Sequence, residues 1–235
     1  MSIGEVYNKI KNEIPKNVTL VCVSKTRQIS EIKEAYDCGA RDFGENKVQE
    51  FLEKYDNIEK DSRWHFIGHL QTNKVKYIVG KVYLIHSLDS IHLLKEIEKR
   101  YSSKNEIANV LIQINIGKEA SKTGIDVEKV NDLIKVCEEC TNVKVKGLMA
   151  TIPIGDDESS RKYFAKMKAI FDNLKNYKYK NVSMEFLSLG MSKDFPIALE
   201  KGANMIRLGT KIFGKRDYKK LRSEERRVGK ECSQG

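Results

Sequence analysis

Proline and tryptophan are scarce: the 235 residues contain 3 prolines and 1 tryptophan. With no Gly/Ser tract either, the sequence offers no linker and no internal domain boundary. Long apolar runs are missing. Stretches such as Leu20-Val21-Cys22-Val23 fall far short of the roughly 18 residues that a membrane-spanning helix needs. The opening MSIGEVYNKIKNEIPKN has no apolar core region, so a secretory signal is not expected. Cysteines are few and odd in number, at 22, 38, 137, 140 and 232. That predicts a reducing, cytoplasmic setting without a disulfide framework. Cys137 and Cys140 form a C-x-x-C, but late in a helical pattern and with no second pair. They read as two helix cysteines one turn apart rather than a redox or metal motif.

What is present is charge. Lys and Arg total 43 and Asp and Glu 33, a net charge of +10. An excess of this size raises nucleic acid as a partner. Yet the signs are interleaved, as in Lys95-Glu96-Ile97-Glu98-Lys99, and no dense basic block carries aromatics. A basic surface that favours a small anionic ligand is the better reading, with no nucleic acid and no membrane as partner.

After an amphipathic helix at about 2–14, β-type bursts alternate with charged helical segments. The bursts fall at 18–23, 42–43, 64–67, 82–85, 108–114, 145–149, 183–187 and 205–208. The helical patterns lie at about 30–38, 45–57, 71–79, 89–101, 127–140, 159–176 and 193–201. Such alternation predicts parallel strands joined by crossover helices. Eight units without a second domain predict an α/β fold, a single (β/α)8 TIM-type barrel preceded by an N-terminal helix. No G-x-G-x-x-G follows the first burst, which disfavours a dinucleotide fold. The barrel is expected to occupy 1–218. The segment 219–235, beginning KKLRSEERRVGK at Lys219 and lacking any strand burst, is expected to be a disordered or non-native tail.

Barrels of this kind place function at the C-terminal ends of their strands. Lys25 ends the first burst, where a lysine is costly to desolvate unless it is used. A partly desolvated amine becomes a nucleophile toward aldehydes and forms a Schiff base; the bland alternative is an ammonium that snorkels to solvent. The loop Ser188-Leu189-Gly190-Met191-Ser192 offers a glycine and two hydroxyls, and Gly209-Thr210 opens a short helix. Barrel phosphate sites favour the loops after strands seven and eight. A Schiff-base lysine on strand one would face that phosphate cup, a geometry that suits pyridoxal 5′-phosphate, with Arg207 placed to meet a pyridine nitrogen. His65 and His69 invite a zinc reading, but Gly68 separates them from a common helical face. No metal is expected, and His69 and Asn73 read as cleft-mouth or capping residues.

Several stretches carry a resemblance. They are Val23-Ser24-Lys25-Thr26, Phe43-Gly44-Glu45-Asn46-Lys47-Val48-Gln49-Glu50, the run Trp64 to Lys74, Gly147-Leu148-Met149, Leu187 to Asp194, and Ile206 to Gly214. Together they make the chain resemble the family of pyridoxal-phosphate homeostasis proteins, which share a fold with the N-terminal barrel of alanine racemase. The resemblance implies that Lys25 carries the cofactor as an internal aldimine, that Ser192, Gly209 and Thr210 hold its phosphate, that Arg207 lies near the ring nitrogen, and that Asn46 lies near the ring. Asn204 departs from the small hydroxyl residue expected before the last strand.

The expected function is that of a binding module that stores, buffers or delivers pyridoxal 5′-phosphate, acting as a monomer with apo-enzymes as possible recipients. No catalytic residue is assigned. A racemase of this fold needs a second base, which the resemblance places in another domain that this sequence does not show. An arginine at the ring nitrogen also weakens the electron sink that carbanion chemistry needs. The alternative is a weak amino-acid racemase. Lys122, after the fifth burst, is a candidate transient holder of the cofactor, against the plainer reading of a solvated loop lysine.

Overall fold

A computed structural model describes residues 1–119 and 123–215. The expected tail at 219–235, and Lys122, lie outside the described residues. Helix α1 (Ile3–Glu13) precedes strand β1 (Thr19–Val23). Then follow α2 (Ile29–Asp37), β2 (Asp42–Glu45), α3 (Val48–Tyr55) and β3 (Arg63–Phe66). The chain continues with β4 (Leu84–Leu88), α4 (Ile91–Ser102), β5 (Ala108–Gln113), α5 (Val130–Glu139) and β6 (Val143–Met149). It ends with α6 (Asp157–Lys175), β7 (Val182–Ser188), α7 (Phe195–Glu200), β8 (Met205–Leu208) and α8 (Thr210–Phe213). The strands pair in sequence order, all parallel, and β1 closes onto β8 to complete the barrel.

Helix α1 starts where the sequence supplies a complete capping box. The Ser2 hydroxyl accepts from Glu5 N–H while the Glu5 carboxylate accepts from Ser2 N–H. The segment read as helix at 71–79 is a 3₁₀ turn, Thr72–Tyr77. The third strand-to-strand crossover is therefore made by a 3₁₀ turn in place of an α-helix, although it is as long as the connection that carries α3.

Side chains on a strand alternate between two faces. Phe43, Trp64, Phe66, Ile85, Ile206 and Leu208 point outward into the large core beneath the helices. Val21, Leu84, Leu111, Met149 and Met205 form a second, small cluster inside the barrel. The inner cluster leaves room for polar residues at the remaining inward positions, and these carry the chemistry described below.

Two strand ends differ from the sequence reading. β2 extends through Gly44 and Glu45, which the sequence placed after the strand. β4 is shifted later, so His86 and Ser87 are strand residues and fully buried rather than at the cleft mouth. The Val82–Ile85 burst is real, but its first two residues sit in the tight approach from the 3₁₀ turn.

Gly147 sits at a register shift between β6 and β7 with φ of 145°, and a Cβ there would collide with the Phe186 carbonyl oxygen. Gly147→Ala is expected to destabilise the barrel by at least about 2 kcal/mol, combining backbone strain and overpacking. Urea unfolding followed by circular dichroism measures it; a variant as stable as the parent would mean that the bulge relaxes freely.

Candidate functional site

The C-terminal end of the barrel opens into a cavity of about 680 Å³. Lys25, Asn46, Ser192, Arg207, Gly209 and Thr210 all line it. Six of the seven residues singled out in the sequence thus meet in one place, although they come from four separate strand ends. Ser188 is the exception. It is fully buried at the end of β7 and is not among the lining residues. Its hydroxyl accepts from Arg207 Nη1 at 2.6 Å, so it lies behind the guanidinium rather than on the cavity wall.

Arg207 sits third on β8, at an inward position, and is 4% exposed. Its charge is compensated by fixed acceptors. Nη1 donates to the Ser188 carbonyl at 2.9 Å and Nη2 to the Ala150 carbonyl at 3.0 Å. Burial lowers its pKa to about 10, which leaves it a cation at neutral pH.

The loops after β7 and β8 are tied together. Ser192 Oγ accepts from Lys211 N–H at 3.3 Å, and Arg207 N–H donates to the Gly190 carbonyl at 3.1 Å. Gly190 has φ of 84°, and a Cβ there would press on Ala198 and Phe195. Glycine is needed at this turn so that the loop can lie against α7. Gly209 and Thr210 follow at the start of α8, where backbone N–H groups converge.

Lys25 stands two residues past β1 and is followed by Thr26, a non-glycine residue at φ of 65°. The carboxylate of Glu50 holds Thr26 N–H. That carboxylate also meets Lys54, whose Nζ reaches Glu50 at 2.7 Å, Glu45 at 2.8 Å and the Ser24 carbonyl at 2.8 Å. Ser24 Oγ donates to Glu45 at 2.6 Å. This buried cluster, built between α3 and the ends of β1 and β2, clamps the backbone on both sides of Lys25. No motif in the sequence announced it. The signal was an outward-facing Glu45 followed nine residues later by a lysine on the apolar face of α3.

The residues present suit a phosphorylated aldehyde with a flat ring. A primary amine, a cluster of hydroxyls and backbone N–H groups, and a buried cation face the same cavity. Asn46 Oδ1 is buried without a hydrogen-bond partner among the described residues, a polar atom waiting for a donor or a water. A zinc site at His65 and His69 does not form in this way. His65 turns inward to His86 and Asp42, while His69 is half exposed and pairs with Asp89 at 3.5 Å. Among the described residues, no group of three metal-ligating side chains converges. Asn204, the departure noted above, stitches β7 to β8: its Oδ1 accepts from Leu187 N–H at 2.8 Å and its Nδ2 donates to Glu185 at 2.7 Å.

The alanine racemase N-terminal domain model matches residues 2–217. The pyridoxal phosphate homeostasis protein of Aquifex aeolicus is 47% identical over 201 residues, covering 85% of this chain and 87% of that protein. Among solved structures, PipY of Synechococcus elongatus with PLP bound superposes with a TM-score of 0.84 at 31% identity, over 90% of this chain and 100% of that one. Alanine racemase of Clostridium difficile superposes with a TM-score of 0.76 at 16% identity, over 92% of this chain and 60% of that one. That last likeness is one of fold alone.

Lys54→Met leaves the fully buried Glu45 carboxylate without its cation, a loss expected to cost about 3 kcal/mol at pH 8. Burial already pushes the Glu45 carboxyl above its ordinary value against the pull of Lys54 and Ser24. An acid raised on folding stabilises at low pH and loses that stabilisation as pH climbs through its folded value. The deficit of the variant should therefore shrink at pH 5. Urea midpoints at the two pH values test this, and an equal deficit at both would show that Glu45 does not change its protonation between them.

Proposed function

The chain belongs to the alanine racemase N-terminal domain family and, within it, to the pyridoxal phosphate homeostasis proteins, and from that premise we propose that it binds pyridoxal 5′-phosphate at the mouth of the barrel and buffers or delivers it without robust turnover. The observation that carries the reading is the convergence of Lys25, Arg207, Ser192, Gly209 and Thr210 on one cavity. Bound there, the cofactor supplies an electrophilic aldehyde carbon and a ring able to draw electrons.

Lys25 would hold the group through its amine, which can condense with the aldehyde and release water. Ser192 Oγ and the backbone N–H groups of Gly209 and Thr210 would receive the phosphate. Arg207 would meet the ring nitrogen as a donor, and Asn46 would lie beside the ring. A guanidinium at that nitrogen disfavours a protonated ring, and this supports holding over turnover. The racemase fold nevertheless makes weak amino-acid racemisation the competing reading.

We place the protein in the cytoplasm as a monomer, with residues 1–218 as one cofactor-binding domain and apo-enzymes as recipients. Cys22, Cys38, Cys137 and Cys140 are free thiols, which suits a reducing compartment. Burial pushes the Cys137 thiol up to about 12 and the Cys140 thiol up to about 11, so neither is poised for redox chemistry. No described helix is long and apolar enough to cross a membrane.

Lys25→Ala should abolish borohydride fixation of the cofactor while leaving weak, reversible binding through the phosphate donors. Peptide mapping of the reduced wild-type protein checks the first point and equilibrium dialysis the second; label on another lysine refutes the assignment. The loaded protein should also restore activity to an added apo-enzyme, yet convert essentially no L-alanine to D-alanine. A missing general base commonly forfeits about 10²–10⁴-fold in rate. Saturable racemisation that vanishes in Lys25→Ala would establish the racemase reading instead.

A further inference from the structure

The barrel interior contains a line of polar side chains of which the proposed function uses only Arg207. Asp42 is the first residue of β2, His65 the third of β3, His86 the third of β4, Ser188 the last of β7 and Arg207 the third of β8. All are buried. Arg207 Nη1 donates to Ser188 Oγ at 2.6 Å, Ser188 Oγ lies 3.2 Å from His86 Nδ1, His86 Nε2 lies 2.9 Å from His65 Nδ1, and His65 Nε2 lies 3.0 Å from Asp42 Oδ1. The line runs from the cofactor end of the barrel to its opposite end. There Arg63 holds Asp42 through two hydrogen bonds of 2.7 and 2.6 Å.

The two ends decide the direction of every bond between them. A guanidinium only donates and an ionised carboxylate only accepts. With one proton on each imidazole, a single arrangement satisfies all four contacts. Ser188 O–H donates to His86 Nδ1, His86 Nε2–H donates to His65 Nδ1, and His65 Nε2–H donates to Asp42. Ser188 is then left as an acceptor for Arg207. Two further observations support an uncharged His86 and an ionised Asp42. Burial, the largest influence, holds His86 well below the usual histidine range. The hydrogen bonds of His65 and Arg63 hold Asp42 low, outweighing the burial that pushes it up. The other groups around the far end are Tyr7, Cys22 and Arg41 near Asp42 and the Tyr83 ring edge-on to His65 at 5.5 Å.

We propose that Asp42, His65, His86 and Ser188 form a one-way hydrogen-bond relay through the barrel, and that they are positioning residues through which a carboxylate at the far end holds Arg207 as a fixed donor at the cofactor cavity. For its effect on the cofactor the proposal rests on the function proposed above, with Arg207 at the ring nitrogen; the relay itself does not. Its physical sense is economy of orientation. A buried guanidinium with three of its donors engaged by Ser188 and Ala150 cannot swing, so the donors that remain are aimed at whatever fills the cavity.

Nitrogen-resolved NMR of the cofactor-free protein at pH 7 should show His65 and His86 each as a single uncharged Nε2–H tautomer. Asp42→Asn should move the His86 resonances although Asp42 touches only His65. An Nδ1–H or doubly protonated ring at either position overturns the relay. For the loaded protein, His86→Leu cuts the line. It should release pyridoxal 5′-phosphate roughly tenfold more readily, as expected when buried partners lose a hydrogen bond, and should shift the cofactor's absorption maximum. His86→Gln, whose amide accepts from Ser188 and donates to His65, should restore both. Should His86→Leu fail to fold, Ser188→Ala makes the smaller cut and is read in the same two ways. Folded variants that match the wild type in dissociation constant and absorption maximum would show that the line is structural only and overturn the proposal. A protein that takes up no cofactor in any form refutes the function proposed above, while the tautomer result still decides the relay.

Discussion

Closure of the barrel depends on one ladder. Four residue pairs, from Thr19 with Met205 to Cys22 with Leu208, join the first strand to the last. Until that ladder forms, Lys25 and the segment Arg207-Leu208-Gly209-Thr210 belong to opposite ends of the chain. Once it forms, they share a rim. The energetic cost of bringing ends so far apart together is met by the outer core, where Phe43, Trp64, Phe66, Ile206 and Leu208 pack under the helices. The site thus exists only in the fully closed molecule.

The same strands carry buried charge on both of their faces. Outside the barrel wall, Lys54 neutralises Glu45 and Glu50 and fixes the backbone beside Lys25. Inside it, Arg207 is held by two carbonyls and a hydroxyl, and Asp42 by Arg63 and His65. Apolar residues of similar size would make a more stable wall. The polar atoms are kept where they restrain the two side chains that face the cavity, an amine and a guanidinium. A barrel of this construction exchanges some core stability for a rim whose chemistry is set before a ligand arrives.

The division of labour between the two clusters follows from strand alternation. Odd and even positions of β2 diverge: Asp42 goes into the barrel and Glu45 to α3, each to meet a basic side chain. A one-residue slip of β2 would exchange the two environments, leaving Glu45 facing His65 and Asp42 facing apolar helix residues. The register of β2 with β3, Asp42 with Arg63 through Glu45 with Phe66, is therefore fixed by charge as well as by the apolar core.

Local patterning determined the alternation of strands and helices and the capped first helix, because each depends on residues a few positions apart, and eight alternating units in succession made a parallel barrel the expected fold. The rim residues Lys25, Ser192, Arg207, Gly209 and Thr210 were legible for a related reason: in a parallel barrel every strand ends on the same side, so the residues after each burst must meet. The 3₁₀ turn at Thr72–Tyr77 and the later start of β4 were not legible, since a short apolar run does not mark its own ends. Nor was the burial of Ser188 behind Arg207, or the partnership of His65 with His86. The letters Asp42-Phe43, Trp64-His65-Phe66 and Ile85-His86 did alternate polar with apolar, but alternation says only which face a side chain takes. Which inward residues touch depends on strand tilt and register around the closed sheet, and those are settled by long-range packing rather than by neighbours in sequence.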